Sequence, residues 1–269
     1  MFKSKAIALQ DPEVTKFINN YEFLPYKLLM PKTFIDTHRE WLINRTFHIN
    51  GLDLFTNAYV TAGCTEAFYE VYNEDVYVLK GEYTYHRDTG ITHTCDLRSI
   101  PTNSRLIISY PFADTGLPHE NWYQIIEYCE ARNIKIFIDA CLAGCSLGNL
   151  DLRHKCITHI AFSFSKAFGT GHMRTGVVYA RNNITSLASI TNKHLYVNHM
   201  FLLLHHALMK NFKSDYIFQK YRMVQLDICS EHKLTQSDCV LFGLDNQGRK
   251  CVTQALEIQQ PYHRQYAQQ

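Results

Sequence analysis

Short apolar runs alternate with helical patterns through the middle of the chain, and each run is followed by polar or small residues. The runs that predict strands are residues 57–60, 75–79, 105–110, 134–138, 159–164 and 177–180. Residues 121–132 place apolar side chains at positions 122, 125, 126 and 129, which is the spacing of one helix face. This alternation predicts an α/β fold with a mostly parallel central sheet and flanking helices.

The N-terminal region is predicted to form helices joined by an extended arm. Asp11 followed by Pro12 is typical of a helix start, and this helix is expected to reach about residue 20. The aromatic and proline-containing residues 21–32 predict the arm. Asp36 is expected to cap a second helix that continues through residue 43.

The pattern changes after residue 180 and predicts a small, shortened α+β C-terminal domain. Its expected elements are helices at residues 198–210, 216–230 and 253–259 and a strand at residues 239–244. We therefore expect three parts: an N-terminal arm with helices over residues 1–50, a large domain over residues 51–200 and the reduced C-terminal domain over residues 201–269.

Composition narrows the class of protein. The 269 residues, 46% hydrophobic and 19% charged, are typical of a soluble globular protein with an ample core. A formal net charge of +2 gives no reason to expect nucleic acid or a membrane as partner. Nine scattered cysteines without a CxxC pair predict reduced thiols in a cytoplasmic protein. The 14 histidines show no HExxH motif, so we predict no metal site.

The strongest chemical signal lies in residues 161–176. An apolar, strand-like run ends in small residues around Lys166, and Arg174 follows eight positions later. A desolvated lysine can lose its proton and attack a carbonyl group. Taken alone, however, Lys166 has a simpler explanation as the lysine of a surface loop.

Other predicted strands also end in residues that could bind a ligand. Gly63-Cys64-Thr65-Glu66 joins a strand to a helix and could hold an anion, Asp139 ends an apolar strand, and Tyr83 could stack on a planar ring. Each has an ordinary structural explanation by itself. Together with Lys166 and Arg174 they meet the needs of pyridoxal phosphate: a lysine for its aldehyde, an anion for its ring nitrogen, a cation and N–H groups for its phosphate, and a flat face for its ring.

The run Ser163-Phe164-Ser165-Lys166-Ala167-Phe168-Gly169, followed by Arg174-Thr175-Gly176, resembles the Ser-x-(Ser/Ala)-Lys-x-Phe-Gly…Arg-x-Gly signature of the fold-type I enzymes that depend on pyridoxal 5'-phosphate (PLP), in particular the class I/II aminotransferases. The resemblance implies that Lys166 is catalytic and forms the internal aldimine with the cofactor. It also implies that Ser163, Ser165 and Arg174 bind the cofactor phosphate.

The same resemblance assigns the remaining cofactor contacts. Gly63, Cys64 and Thr65 are similar to the phosphate-binding turn of the family, and the strand ending at Asp139 resembles the one whose aspartate pairs with the ring nitrogen. Tyr83 stands where the family places an aromatic residue that stacks on the cofactor ring.

Several positions depart from the family pattern. Ala113 and Leu142 stand where an asparagine and a tyrosine usually bond the phenolic oxygen of the cofactor. The arginine that usually binds the substrate carboxylate has no convincing equivalent, and Arg264 is only a positional candidate. Tyr26 is a further candidate, for a phosphate contact made across a subunit interface.

The resemblance implies an aminotransferase that acts on a small molecule, an amino acid or a related amine, as a homodimer with shared active sites. Two alternatives stay open at this point. The chain could use the same cofactor as a decarboxylase, a lyase or a C–C bond-forming enzyme, because the departures bear on which bond breaks. It could also be a catalytically silent binding protein with the same fold.

Overall fold

The structure is a computed structural model that describes residues 2, 5–24, 27–43, 46–72, 75–90, 92–183 and 185–259. The candidate residues Tyr26 and Arg264 lie outside the described residues. Among the residues that are described, no helix is long and apolar enough to cross a membrane.

The described residues form twelve strands and ten α-helices. The strands are β1 (Phe47–Asn50), β2 (Asn57–Thr61), β3 (Val76–Leu79), β4 (Thr92–Cys95), β5 (Arg105–Ser109), β6 (Lys135–Asp139), β7 (Gly148–Asp151), β8 (Ile157–Ser163), β9 (Gly176–Ala180), β10 (Thr235–Gln236), β11 (Phe242–Asp245) and β12 (Gly248–Cys251). The helices are α1 (Pro12–Asn19), α2 (Pro31–Trp41), α3 (Cys64–Ala67), α4 (Thr84–Asp88), α5 (Trp122–Ala131), α6 (Phe164–Ala167), α7 (Leu187–Lys193), α8 (His199–Asn211), α9 (Tyr216–Glu231) and α10 (Thr253–Ile258).

A seven-stranded sheet forms the centre of the fold, in the spatial order β2-β9-β8-β6-β5-β3-β4. Strand β9 runs antiparallel to both of its neighbours, and the other neighbouring pairs are parallel. The predicted mostly parallel sheet is therefore confirmed. Its central strands are continuous apolar runs, with Ile136, Phe137 and Ile138 fully buried, because side chains on both faces pack against other elements.

One local prediction is wrong, and a second is correct only in part. The second helix begins at Pro31, because proline suits the first helical position, where no intrahelical N–H bond is needed. Asp36 therefore lies inside the helix and pairs with Lys32 at 2.6 Å instead of capping it. The strand expected over residues 239–244 is present as β11, but it begins at Phe242, and its sheet also contains β10 and β12, which the sequence did not predict.

A second hydrophobic core joins Leu9, in the N-terminal segment, to helices and strands of residues 216–258. Leu9 is buried there against Leu142 and residues of α9, β11 and α10. Asp11 fixes the start of α1, because its carboxylate accepts the N–H groups of Glu13 and Val14, both at 3.0 Å. The division at residues 50 and 200 stays a prediction.

Candidate active site

The nine predicted site residues come together at one edge of the central sheet. The carboxyl ends of the parallel strands lie there, as does the start of the antiparallel β9. The residues are Gly63, Cys64 and Thr65 after β2, Tyr83 after β3, Asp139 at the end of β6, Ser163, Ser165 and Lys166 at the end of β8 and in α6, and Arg174 before β9.

A cradle lies between the turn after β2 and the turn after β8. It is formed by Thr65, Ser163, Ser165 and Arg174. The Arg174 Nε donates a hydrogen bond to the Ala62 carbonyl oxygen at 3.2 Å, and its Nη2 donates to the Thr65 hydroxyl. The Ser163 hydroxyl oxygen accepts the backbone N–H of Ser165 at 3.3 Å and lies 3.0 Å from the Ser165 hydroxyl. A guanidinium and three hydroxyl groups therefore meet at this edge.

Gly63 leaves the space in which these groups approach one another. Its φ of +78° is a backbone conformation that L side chains rarely adopt. A Cβ atom at this position would lie 2.9 Å from the Arg174 Nη2 and 3.2 Å from the Ser163 hydroxyl oxygen. The resulting cradle combines a cation with hydroxyl donors, which is the donor set that a phosphate group requires.

Asp139 supplies a buried carboxyl group beside this cradle. Only 4% of the residue is exposed, and the backbone N–H of Cys141 donates to its Oδ1 at 3.0 Å. Burial raises the pKa of Asp139, while hydrogen bonds from Cys64 and Cys141 and the charge of Lys166 oppose this increase. A buried carboxylate is stabilised by a cationic partner, and a protonated ring nitrogen would provide one.

Lys166 lies in the short helix α6, within electrostatic range of Asp139. Its Nζ donates a hydrogen bond to the backbone carbonyl of Ala6 at 3.0 Å, so the N-terminal segment reaches the site. On the other side of the lysine, the Cys145 thiol donates to the Lys166 backbone carbonyl at 3.3 Å. These contacts hold the lysine at the sheet edge that carries Asp139.

Tyr83 presents a partly exposed ring at the same edge. Its side chain is stacked on Tyr85, with ring centroids 5.9 Å apart and an interplanar angle of 16°. Burial raises the pKa of Tyr83, Cys141 and Asp139 add to the increase, and Arg174 opposes it. Because Tyr83 follows β3, it lies at the same end of the sheet as the predicted cofactor contacts.

Arg249 also reaches this site, and the sequence did not indicate it. The residue lies on β12, and its Nη1 donates to the backbone carbonyl of Ala113. Its guanidinium stacks over Phe242, 4.8 Å from the ring centroid. Burial lowers the pKa of Arg249, and the charge of Asp114 opposes that decrease. The sequence signal is a single Gly-Arg pair, which gains meaning only once β11 and β12 are known to form a hairpin.

Glu82 is a second residue that sequence reasoning missed. Its carboxylate accepts the backbone N–H and the hydroxyl of Ser109, both at 2.7 Å. Burial raises the pKa of Glu82 to about 7, with the Ser109 hydrogen bonds opposing and the Asp139 charge adding to the increase. Because Ser109 is paired with Asp139 across β5 and β6, Glu82 is anchored to the strand next to Asp139.

Ala113 and Leu142 stand where the family usually has donors to the phenolic oxygen of the cofactor. The two residues have different surroundings. Leu142 is buried in the second hydrophobic core beside Leu9 and Cys145, so its side chain stabilises the fold. Ala113 lies at the site edge, where its backbone N–H donates to the Ser109 hydroxyl at 2.7 Å.

Comparison with protein families identifies the chain. The model of the family "Aminotransferase class I and II" matches residues 67–220, which is more than half of the sequence. The chain belongs to this family, and the predicted resemblance is confirmed. No curated protein sequence matches it significantly.

Solved structures with the same fold include two aminotransferases and a PLP-bound C-S lyase. An aromatic amino acid aminotransferase from Burkholderia cenocepacia aligns with a TM-score of 0.61 and 13% identity, over 94% of this chain and 87% of that one. A tyrosine aminotransferase from Leishmania infantum aligns with a TM-score of 0.62 and 12% identity, over 93% and 89%. A PLP-bound C-S lyase from Staphylococcus hominis aligns with a TM-score of 0.61 and 12% identity, over 90% and 74%.

The family assignment confirms the fold class and the cofactor. The fold is that of the PLP-dependent transferases, and pyridoxal 5'-phosphate is the cofactor. The residues present fit this group, because the cradle around Gly63 suits its phosphate and the buried Asp139 suits its ring nitrogen. The individual roles of the nine site residues stay predictions.

Proposed function

We propose that the protein is an aminotransferase that acts on an amino acid or a related amine, with Lys166 as the residue that binds the cofactor covalently. The observation that carries this proposal is the meeting of Lys166, Asp139 and the Gly63 cradle at one sheet edge. This arrangement supplies an amine, a carboxylate and an anion site, which PLP requires together.

The cofactor would be held by groups at the carboxyl ends of β2, β3, β6 and β8 and by Arg174, which precedes β9. Arg174, Thr65, Ser163 and Ser165 would bind its phosphate in the space that Gly63 leaves open, with Cys64 adding its backbone N–H. Asp139 would hold the ring nitrogen protonated, and Tyr83 would cover the ring. When bound, the cofactor supplies a ring that accepts electrons from the reacting carbon of the amine.

Lys166 would act as the general base. Its Nζ would take the proton from the α-carbon of the substrate and deliver it to the cofactor carbon that carries the amino nitrogen, so that the amino group stays with the cofactor. The hydrogen bond from this Nζ to the Ala6 carbonyl oxygen, at 3.0 Å, supports a defined position of the amine at the sheet edge that carries Asp139.

Arg249 is our candidate for the residue that binds the substrate carboxylate. Its guanidinium already contacts the backbone at Ala113, which lies beyond the end of β5 at the same edge. A guanidinium can bind a carboxylate through two parallel hydrogen bonds, so it would orient the α-carbon toward Lys166. Arg249 would then take the role for which the sequence offered only Arg264.

A second candidate function keeps the cofactor and changes the bond that breaks. Ala113 lacks a side-chain donor, and Leu142 is packed in a core. Structures with the same fold include a C-S lyase and an L-threonine-O-3-phosphate decarboxylase. These observations favour a lyase or decarboxylase as the alternative.

A half-reaction assay separates the two candidates. The protein loaded with PLP is mixed with single amino acids, and the keto product and the amine form of the cofactor are quantified. An aminotransferase forms the keto product and the amine form of the cofactor in equal amounts, and a keto acid then restores the PLP form. In addition, we expect Arg249→Ala to raise the KM for the amino acid about 100-fold or more. Release of carbon dioxide, ammonia or a thiol without the amine form of the cofactor would contradict the proposal.

We also propose that the protein is a homodimer with shared active sites. Apolar side chains are exposed on α7 and on the neighbouring turn, at Leu187, Ile190 and Tyr69. An exposed cluster of this kind is typical of a protein interface.

A further inference from the structure

Five aromatic side chains form a closed circuit beside the predicted cofactor contacts. Tyr83 stacks on Tyr85, with ring centroids 5.9 Å apart, and the Tyr85 hydroxyl oxygen lies 3.3 Å from that of Tyr69. Tyr69 meets Tyr72 edge to face, with centroids 5.1 Å apart, and the Tyr72 hydroxyl oxygen lies 3.1 Å from the His86 Nδ1. His86 closes the circuit with an edge-to-face contact on Tyr83, at 6.2 Å between centroids. Each side chain therefore contacts two others of the circuit.

The circuit packs around a buried ring and is anchored on the central sheet. Phe68 is fully buried, and its ring centroid lies 4.5 Å from that of His86 and 5.6 Å from that of Phe137, a residue of β6. The same Phe68 ring lies 6.5 Å from the ring of Tyr85. His86 is also fully buried, and burial lowers its pKa to about 4, so its ring is neutral at pH 7. An uncharged, buried base of this kind gives the exposed tyrosines a fixed support.

The circuit also joins the two elements that carry the predicted phosphate and ring contacts. Tyr69 and Tyr72 follow α3, which begins directly after Gly63 in the anion cradle. The other three rings come from the residue before α4 and from α4 itself, which follows β3. The contacts between these rings therefore link the turn that would hold the cofactor phosphate to the tyrosine that would cover the cofactor ring.

Tyr83 keeps free ring surface within this circuit. The residue is 46% exposed although Tyr85 stacks on it, so part of its ring stays open to a planar ligand. Offset stacking is a favoured arrangement of two aromatic rings, so Tyr85 restricts the orientations that the Tyr83 ring can adopt. A ring that is already oriented loses less conformational freedom when a ligand binds, and Tyr85 thereby reduces the entropic cost of stacking on Tyr83.

We propose that Tyr85 is a positioning residue, whose ring is anchored by the circuit and holds Tyr83 in the orientation that covers the cofactor ring. Tyr83 would touch the cofactor, and Tyr85 would act through Tyr83. The part concerning the cofactor rests on the proposed function. The packing of Tyr85 on Tyr83 belongs to the cofactor-free protein and can be tested there.

The first test follows the Tyr83 ring in the cofactor-free protein by NMR with isotopically labelled tyrosine. Tyr83→Leu removes the signals of this ring and so identifies them. Tyr85→Leu should shift them, because the ring current of the stacked neighbour is lost, whereas Tyr85→Phe keeps a ring and should leave them close to wild type. The control Tyr123→Leu, at a 77% exposed position on α5, should leave them in place. Tyr83 signals that do not respond to Tyr85→Leu would overturn the proposal.

The second test measures PLP affinity by fluorescence titration. Tyr83→Leu should weaken binding about tenfold, as for the loss of an aromatic stacking contact, Tyr85→Leu about fivefold, and Tyr85→Phe at most about twofold. The double variant Tyr83→Leu/Tyr85→Leu should bind like Tyr83→Leu alone, because Tyr85 acts only through Tyr83. Losses that add in the double variant would overturn the positioning role, since a general structural defect would add to the loss of Tyr83.

The two tests separate this inference from the proposed function. If wild type does not bind PLP while the Tyr83 signals respond to Tyr85→Leu, the proposed function fails together with the cofactor role of Tyr85, and the stacked pair stands. If wild type binds PLP and the losses add in the double variant, the proposed function stands and the inference fails.

Discussion

At the scale of single residues, Gly63 controls access to the anion cradle. A side chain there would meet the Arg174 Nη2 at 2.9 Å. We expect Gly63→Ala to weaken PLP binding strongly, by tenfold or more, because the methyl group occupies the space in which a phosphate would meet Arg174. The measurement is PLP affinity by fluorescence titration.

Gly90 offers a matched control for this substitution. Its φ of +66° is also in the left-handed region, but a Cβ there would have open space around it. Both alanine variants should lose about 1–2 kcal/mol of stability from backbone strain. Only Gly63→Ala should lose cofactor affinity, and an equal loss in Gly90→Ala would contradict the cradle.

At the scale of elements, Asp11 links the N-terminal helix α1 to α9. Its buried carboxylate accepts hydrogen bonds from the Lys220 ammonium at 2.8 Å and from the Tyr221 hydroxyl at 2.7 Å. We expect Asp11→Ala to cost about 3 kcal/mol, the range for breaking a buried ion pair. The control Asp36→Ala breaks the exposed pair with Lys32 and should cost under about 0.5 kcal/mol. Urea unfolding measures both, and equal costs would contradict the buried link.

The same link predicts a dependence of stability on pH. Burial alone would raise the pKa of Asp11, but hydrogen bonds from Lys220, Val14 and Tyr221 outweigh burial and lower it. A lowered pKa contributes stability above the unfolded-state pKa of about 3.9, and this contribution is lost as the pH falls through the folded-state pKa. Wild type should therefore lose more stability than Asp11→Asn on acidification below about pH 4. Parallel pH profiles of the two proteins would argue against the assignment.

The sequence predicted the elements that are buried and continuous, and missed those defined by long-range contacts. The central strands were predictable because parallel strands covered on both faces are unbroken apolar runs, as in β6. The edge strand β4 was not, because Thr92-His93-Thr94-Cys95 has mostly polar side chains. Arg249 was missed because the sequence predicts only the first strand of its hairpin, over residues 239–244, and not β12.

Contacts between distant parts of the chain account for the features of the site that the sequence did not predict. Lys166, Asp139 and Arg174 could be named from local motifs, since each follows or precedes a strong strand signal. The bond between the Lys166 Nζ and the Ala6 carbonyl joins residues 160 positions apart. No periodicity or turn signal reports such a contact, so the N-terminal segment was not expected to reach Lys166 of its own chain.

At the scale of the whole molecule, we expect the exposed apolar cluster on α7 to be buried at the interface of a homodimer. Ile190 is 45% exposed and Leu187 is 63% exposed, three positions apart on one helix face. We expect Ile190→Glu to shift the protein from dimer to monomer, because a charge would be desolvated at the interface. Sedimentation velocity measures the shift. Met223→Glu, at a comparably exposed position on α9, should leave the dimer intact. A monomeric wild type would contradict this proposal.

The central claim is that Lys166 binds the cofactor, and chemical trapping tests it most directly. The protein is incubated with PLP, reduced with borohydride, digested and mapped by mass spectrometry. The account predicts a pyridoxyl group on the peptide that contains Lys166, no trapped cofactor in Lys166→Ala, and unchanged trapping in the exposed-lysine control Lys32→Ala. A pyridoxyl group on another lysine, or none in wild type under conditions that saturate the protein, would contradict the account.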